Sequence, residues 1–218
     1  MADGEPPFEA PSAALVRHPE TDPAVVFLGT SLTAGLGVPS DQAFPALIQE
    51  RIDSAVLGFR VINAGVSGDT SAGGLRRVEW LLRQPIAVLV LELGANDMLR
   101  GQDLLAMRAN LQQIIDRTLA RHEQAQIVIA GMRSAPNLGD PYGDAFAQTF
   151  VDLAHENAAA LIPFLLDGVA AVRELNQGDG IHPTAEGHRR VADNVWRVLE
   201  PVLRATHAES EAEPAIVP

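Results

Sequence analysis

The sequence predicts an α/β domain with a five-stranded parallel sheet and helices on both faces, and two observations lead there. Short runs rich in Val, Ile and Leu alternate with amphipathic stretches every 20 to 35 residues or about that, and most of the apolar runs close on Gly or Asn. The strands fall at 24–28 (AVVFL), 59–62 (FRVI), 86–93 (IAVLVLEL), 126–130 (QIVIA) and 160–164 (ALIPF). Helical spacing marks 41–54, 71–83, 104–122 and 144–158. A last helix is expected over 184–204, where Val191, Val195, Val198 and Leu199 share one apolar face. Right-handed crossovers between parallel strands put helices on both sheet faces. Such sheets bind ligands at the carboxyl ends of their strands, so the chemistry is expected there.

A chain of 218 residues suits one domain, expected over 23–205. Residues 1–22 read as a flexible, proline-rich extension and 206–218 as a disordered acidic tail. No apolar run approaches the roughly 18 residues of a membrane span. The start, MADGEPPFEAPSAA, lacks the basic and apolar character of an export signal. The expected location is therefore cytoplasmic, or periplasmic or secreted if a leader has been removed.

The formal charge is −12, of which residues 1–23 and the segment after His207 together carry −7. The body is only mildly acidic and has no basic stripe, which argues against a nucleic-acid partner. With no cysteine there is no disulfide, no thiolate metal site and no Cys nucleophile.

Four polar clusters stand where this topology ends a strand or opens a helix: Gly29-Thr30-Ser31-Leu32-Thr33-Ala34-Gly35, Gly65-Val66-Ser67-Gly68-Asp69-Thr70, Gly94-Ala95-Asn96-Asp97 and Asp179-Gly180-Ile181-His182-Pro183. A serine hydroxyl is a weak nucleophile at neutral pH and needs a base, which in turn needs an orienting carboxylate. His182 and Asp179, three residues apart on one loop, fit those roles for Ser31. The tetrahedral oxyanion of acyl transfer wants fixed donors, and the Asn96 side chain and Gly68 amide suit that purpose. Asp69 and Asp97 are expected to hydrogen-bond loop amides and to hold Gly68 and Asn96 in place.

At these four clusters, as GTSLTAG, NAGVSGDT, LGANDM and DGIHP, the sequence resembles the SGNH hydrolases, the GDSL-type lipase and esterase superfamily. Within it the chain is most similar to single-domain bacterial arylesterases and to lysophospholipase or thioesterase-like members. The resemblance implies a flavodoxin-like α/β/α sandwich with strand order 2-1-3-4-5. It also implies Ser31 as nucleophile and oxyanion donor, Gly68 and Asn96 as the other donors, His182 as base and Asp179 as its partner. No cofactor is implied. One position departs: the family's first block usually reads Gly-Asp-Ser, and Thr30 stands where the Asp would be. Threonine can make local hydrogen bonds but carries no charge, so the departure bears on the ordering of the loop and not on the triad.

The same residues bear other readings. His182, Glu186 and His188 fit no common zinc spacing, so no metal is expected. The glycines from Gly29 to Gly37 follow neither a P-loop nor a GxGxxG pattern, which argues against nucleotide binding. The Pro/Gly-rich stretch 132–144 is expected as a loop over the site, with Met132, Pro141 and Tyr142 lining an acyl or aryl pocket. The expected activity is hydrolysis of small or lipid-like esters or thioesters. A carbohydrate acetyl esterase and a non-catalytic acyl-binding module stand as alternatives.

Overall fold

The structure, a computed structural model, describes residues 22–134 and 140–212. The expected extension before residue 22 and the last six residues of the expected tail lie outside the described residues. Five parallel strands form one sheet: β1 (Ala24–Gly29), β2 (Arg60–Gly65), β3 (Ile86–Glu92), β4 (Gln126–Ala130) and β5 (Ala160–Ile162). Their spatial order is β2-β1-β3-β4-β5. Among the described residues seven α-helices connect and cover them: α1 (Ser31–Ala34), α2 (Phe44–Ser54), α3 (Ser71–Leu81), α4 (Ala95–Leu99), α5 (Leu104–Arg121), α6 (Asp140–Glu156) and α7 (Ala185–Ala212). Helix α2 packs on α7, while α3 packs on α5 and α5 on α6, giving the two helical groups of a three-layer sandwich. Every residue of β1 is buried, as is nearly all of β3, because helices cover both faces of these central strands.

Several boundaries differ from expectation for identifiable reasons. Strand β2 runs on to Gly65 because the whole of it, Asn63 to Gly65 included, pairs with β1. Strand β5 stops at Ile162 because Pro163 has no N–H to give the ladder. Helix α6 starts at Asp140, so Pro141 and Tyr142 lie on its first turn, where a proline's missing N–H costs nothing. Helix α7 continues past residue 204 to Ala212. Its buried stripe of Val191, Val195, Leu199 and Leu203 keeps it on the sheet, and His207 then packs edge-on against the buried Phe59. The segment 206–212 expected as part of a disordered tail is therefore helix.

The site depends on strand ends lying level. Gly29 pairs in register with Gly65 on one side and with Glu92 on the other, so three loops leave the sheet at one height. The chain order reverses between β1 and β3, the place where doubly wound sheets open a crevice. Behind this edge, Phe27 of β1 meets Phe44 of α2 edge to face at 5.5 Å, and both are buried. Phe27→Ala should lower the unfolding free energy by about 3–5 kcal/mol, read from urea denaturation; a loss below about 1 kcal/mol would mean that the core closes around the gap.

Candidate active site

Ser31 begins α1 immediately after β1. Thr30 is the extended N-cap, its hydroxyl accepting from the Leu32 amide at 3.4 Å, and Gly35 ends the turn at φ +72°. A turn this short needs outside support. The Asn63 side chain donates to the Thr33 carbonyl at 2.8 Å, and a side chain at Gly65 would strike the backbone of Ala34.

The His182 loop closes on this turn from the far end of the sequence. His182 Nε2 lies 2.9 Å from Ser31 Oγ, and His182 Nδ1 lies 2.7 Å from Asp179 Oδ2. Asp179 Oδ1 also accepts from the amides of Ile181 and His182 at 2.9 and 3.0 Å. These bonds, led by the one with the His182 ring, hold the Asp179 carboxyl well below the usual carboxylate range. An ionised carboxylate only accepts, so the ring proton belongs on Nδ1 and Nε2 accepts from the serine hydroxyl. Gln177 joins the two loops: its side-chain amide donates to Leu36 O at 2.7 Å and to Pro183 O at 2.9 Å.

The second and third loops stand beside this chain. Asp69 N donates to Val66 O at 3.1 Å, closing a turn in which Gly68 takes φ +79°, a conformation glycine adopts without strain. Arg100 donates to the Gly68 carbonyl at 2.7 Å. Asn96, on α4, uses one side-chain hydrogen on Asp69 O at 2.8 Å, which orients the amide. The buried Asp97 accepts from the Ser71 amide and hydroxyl at 2.8 and 2.5 Å, tying α4 to the start of α3.

The sequence-predicted residues thus divide. Ser31, His182 and Asp179 form one hydrogen-bonded chain, with Gly68 on the adjoining turn and Asn96 on α4. Met132 is buried in the core. Pro141 is exposed, and Tyr142 is half-buried with its ring stacked on Phe146. Burial and the charge of Asp97 raise the Tyr142 phenol above its ordinary value. Glu186 pairs with Arg189, and His188 turns inward to accept from the Phe44 amide at 3.3 Å. Among the described residues no group of three or more His, Asp or Glu side chains is arranged to hold a metal.

Two supports were not singled out in the sequence. Glu92 is fully buried under the Ser31 turn. Arg77, on α3, donates to Gly29 O at 2.9 Å, to Ala64 O at 2.7 Å and to Asp69 Oδ2 at 2.7 Å, joining the ends of β1 and β2 to the Gly68 turn. Neither belongs to the four blocks in a way that spacing would reveal; the one available signal was an acid inside an otherwise apolar strand.

A doubly wound sheet carrying a serine, histidine and aspartate in this order of hydrogen bonds is the arrangement of a serine hydrolase. The comparisons place it more closely: residues 27–190 match the GDSL-like Lipase/Acylhydrolase family, and the chain belongs to that family. It is 39% identical over 180 residues to the esterase TesA of Pseudomonas aeruginosa, covering 82% of this chain and 89% of that protein. It is 36% identical over 181 residues to thioesterase 1/protease 1/lysophospholipase L1 of Escherichia coli K12, covering 82% and 84%. A crystal structure of TesA superimposes with a TM-score of 0.79 at 38% identity, over 82% of this chain and 99% of that one.

Two outcomes follow from the supporting groups. Arg77→Leu takes a donor away from the Asp69 carboxylate and from the strand-end carbonyls of Gly29 and Ala64, of which Gly29 O keeps the Val66 amide, and should lower the unfolding free energy in urea by about 2 kcal/mol; an unchanged midpoint would show that water replaces the guanidinium. Burial, reinforced by the charge of His182, lowers the pKa of His188 from 6.5 to about 4. The unfolded chain takes up that proton first as pH falls, so stability should decline between pH 6.5 and about 4. His188→Gln should remove this part of the slope, and a parallel decline in both proteins would contradict the assignment.

Proposed function

We propose that the chain cleaves carboxylic esters and thioesters through an acyl-enzyme on Ser31, with His182 as general base and acid and Asp179 as its orienting partner. The observation that carries this reading is the hydrogen-bonded chain from Ser31 Oγ through the imidazole to Asp179. His182 Nε2 takes the hydroxyl proton as Oγ attacks the carbonyl carbon, and a tetrahedral oxyanion forms. The Ser31 and Gly68 amides and the Asn96 side chain receive that oxygen, each such donor contributing about 3 kcal/mol to the transition state. The imidazolium returns its proton to the departing alcohol or thiol, leaving the acyl group on Ser31. Water then repeats the attack with the same base, releasing the acid and restoring the serine.

The substrate side is read from the rim. Leu36, Val66, Leu99 and Ile181, each within or next to one of the four site-bearing segments, are apolar and exposed. Such a rim favours an acyl or aryl group over an acetylated sugar, which would call for aromatic stacking platforms; the chain has one tyrosine and two tryptophans. The intact serine, histidine and aspartate speak against a binding module that leaves its ligand uncleaved. Among the described residues no helix is long and apolar enough to cross a membrane.

Ser31→Ala should abolish turnover of aryl esters while the circular dichroism spectrum is unchanged, and a fluorophosphonate should label the parent protein at Ser31 alone. Retained turnover in the variant would overturn the nucleophile assignment. A panel of aryl esters of rising chain length, with an acyl-CoA and an acetylated sugar beside them, should show preference for the apolar acyl groups.

A further inference from the structure

Glu92 is a buried acid that the two half-reactions do not use. It ends β3, and its carboxyl lies directly beneath the turn that carries Ser31. Oε2 accepts from the Thr30 amide at 2.8 Å, from the Thr33 amide at 3.3 Å and from the Thr33 hydroxyl at 2.8 Å. The Thr30 hydroxyl lies 3.0 and 3.1 Å from the two carboxyl oxygens. One side chain therefore grips the residue before the serine and the residue two after it.

The residue types around the serine match this grip. A Cβ at Gly29 would stand 2.6 Å from Glu92 Oε2 and would overlap the Thr33 hydroxyl, so only glycine leaves room for the carboxyl. Thr30 and Thr33 are both buried and spend their hydroxyls on it. Three of the seven residues of GTSLTAG are thus explained by Glu92 and not by the nucleophile. The threonine found where the family usually has an aspartate belongs to this set, since its hydroxyl lies on the Glu92 carboxyl.

We propose that Glu92 is a positioning residue for Ser31, holding Thr30 and Thr33 so that the serine amide and hydroxyl stay in the geometry of attack. The proposal rests on Ser31 being the nucleophile. Desolvation raises the Glu92 pKa, and the hydrogen bonds from Thr30 and Thr33 only oppose that rise, so burial draws the carboxyl toward its neutral form. In that form the Thr30 hydroxyl donates to Oε2 at 3.1 Å and its lone pair receives the proton on Oε1, while Oε2 keeps its three other donors. Glutamine reproduces the pattern, with its carbonyl in the place of Oε2 and its NH2 in the place of Oε1.

The test measures kcat and KM for a short-chain aryl ester in Glu92→Gln, Glu92→Leu and Thr33→Val, with Ser31→Ala as the reference for loss of the nucleophile. Misplacing a reacting group by about 1 Å costs on the order of 100-fold. Glu92→Leu should therefore lose about 100-fold in kcat and Thr33→Val about 10-fold, both with KM within about twofold of the parent. Glu92→Gln should recover most of what Glu92→Leu loses. If kcat per folded molecule in Thr33→Val and Glu92→Leu stays near the parent while only the melting temperature falls, Glu92 is a structural residue and the proposal fails. It fails equally if Glu92→Gln is as impaired as Glu92→Leu. Should Glu92→Leu not fold, Thr33→Val and Glu92→Gln decide between the same outcomes. Turnover retained in Ser31→Ala would instead remove the nucleophile assignment, a result separable from any outcome of the Glu92 series.

Discussion

The hydrogen bond between His182 Nε2 and Ser31 Oγ, 2.9 Å long, joins residues 151 positions apart in the chain. A contact this remote in sequence persists only if both ends are fixed by something other than the contact itself. At the serine end, β1 delivers Ser31 to the level where β2 and β3 also end. At the histidine end, Asp179 folds its own loop by accepting two amides before it receives the imidazole. Gln177 then ties that loop to Leu36, just past the Ser31 turn. The geometry of one bond is thus distributed over the sheet, a short turn and a loop that carries its own acid.

The support is layered by depth. Asp179 is half-exposed, and a charge there is sustained by hydrogen bonds that favour the ionised form. Glu92 is fully buried one layer below, where desolvation works in the opposite direction. The two acids therefore sit in opposite settings: on the proposed reading the upper one orients the imidazole, and the lower one holds the Ser31 turn through its hydrogen bonds with Thr30 and Thr33. Arg77 and Asp97 complete the lower layer by locking the Gly68 turn and the start of α4 to α3. Buried polar networks of this kind favour a single arrangement, since any member left unpaired costs as much as several good contacts contribute.

Much of this was legible in the sequence. Short apolar runs, most of them closed by glycine or asparagine, placed all five strands, and the four polar blocks picked out Ser31, Gly68, Asn96, Asp179 and His182. Glu92 escaped notice because it sits in IAVLVLEL, where the surrounding Val and Leu set the strand reading and one acid looks like a strand end. Arg77 escaped because a guanidinium that bonds two carbonyls and one that faces water look alike in a helical pattern. The loop reading of 132–144 missed that Pro141 belongs to a helix start and that Met132 continues the core beyond β4. Periodicity reports which face is buried; it does not report a polar contact whose partner lies on another element.

The imidazole tautomer tests the account most directly, because the proposed mechanism needs Nε2 free for the serine proton. Nitrogen-15 NMR of the neutral His182 ring should show the proton on Nδ1 in the parent protein, and Asp179→Asn should move it to Nε2. A parent ring protonated on Nε2, or a tautomer indifferent to Asp179, would contradict the account.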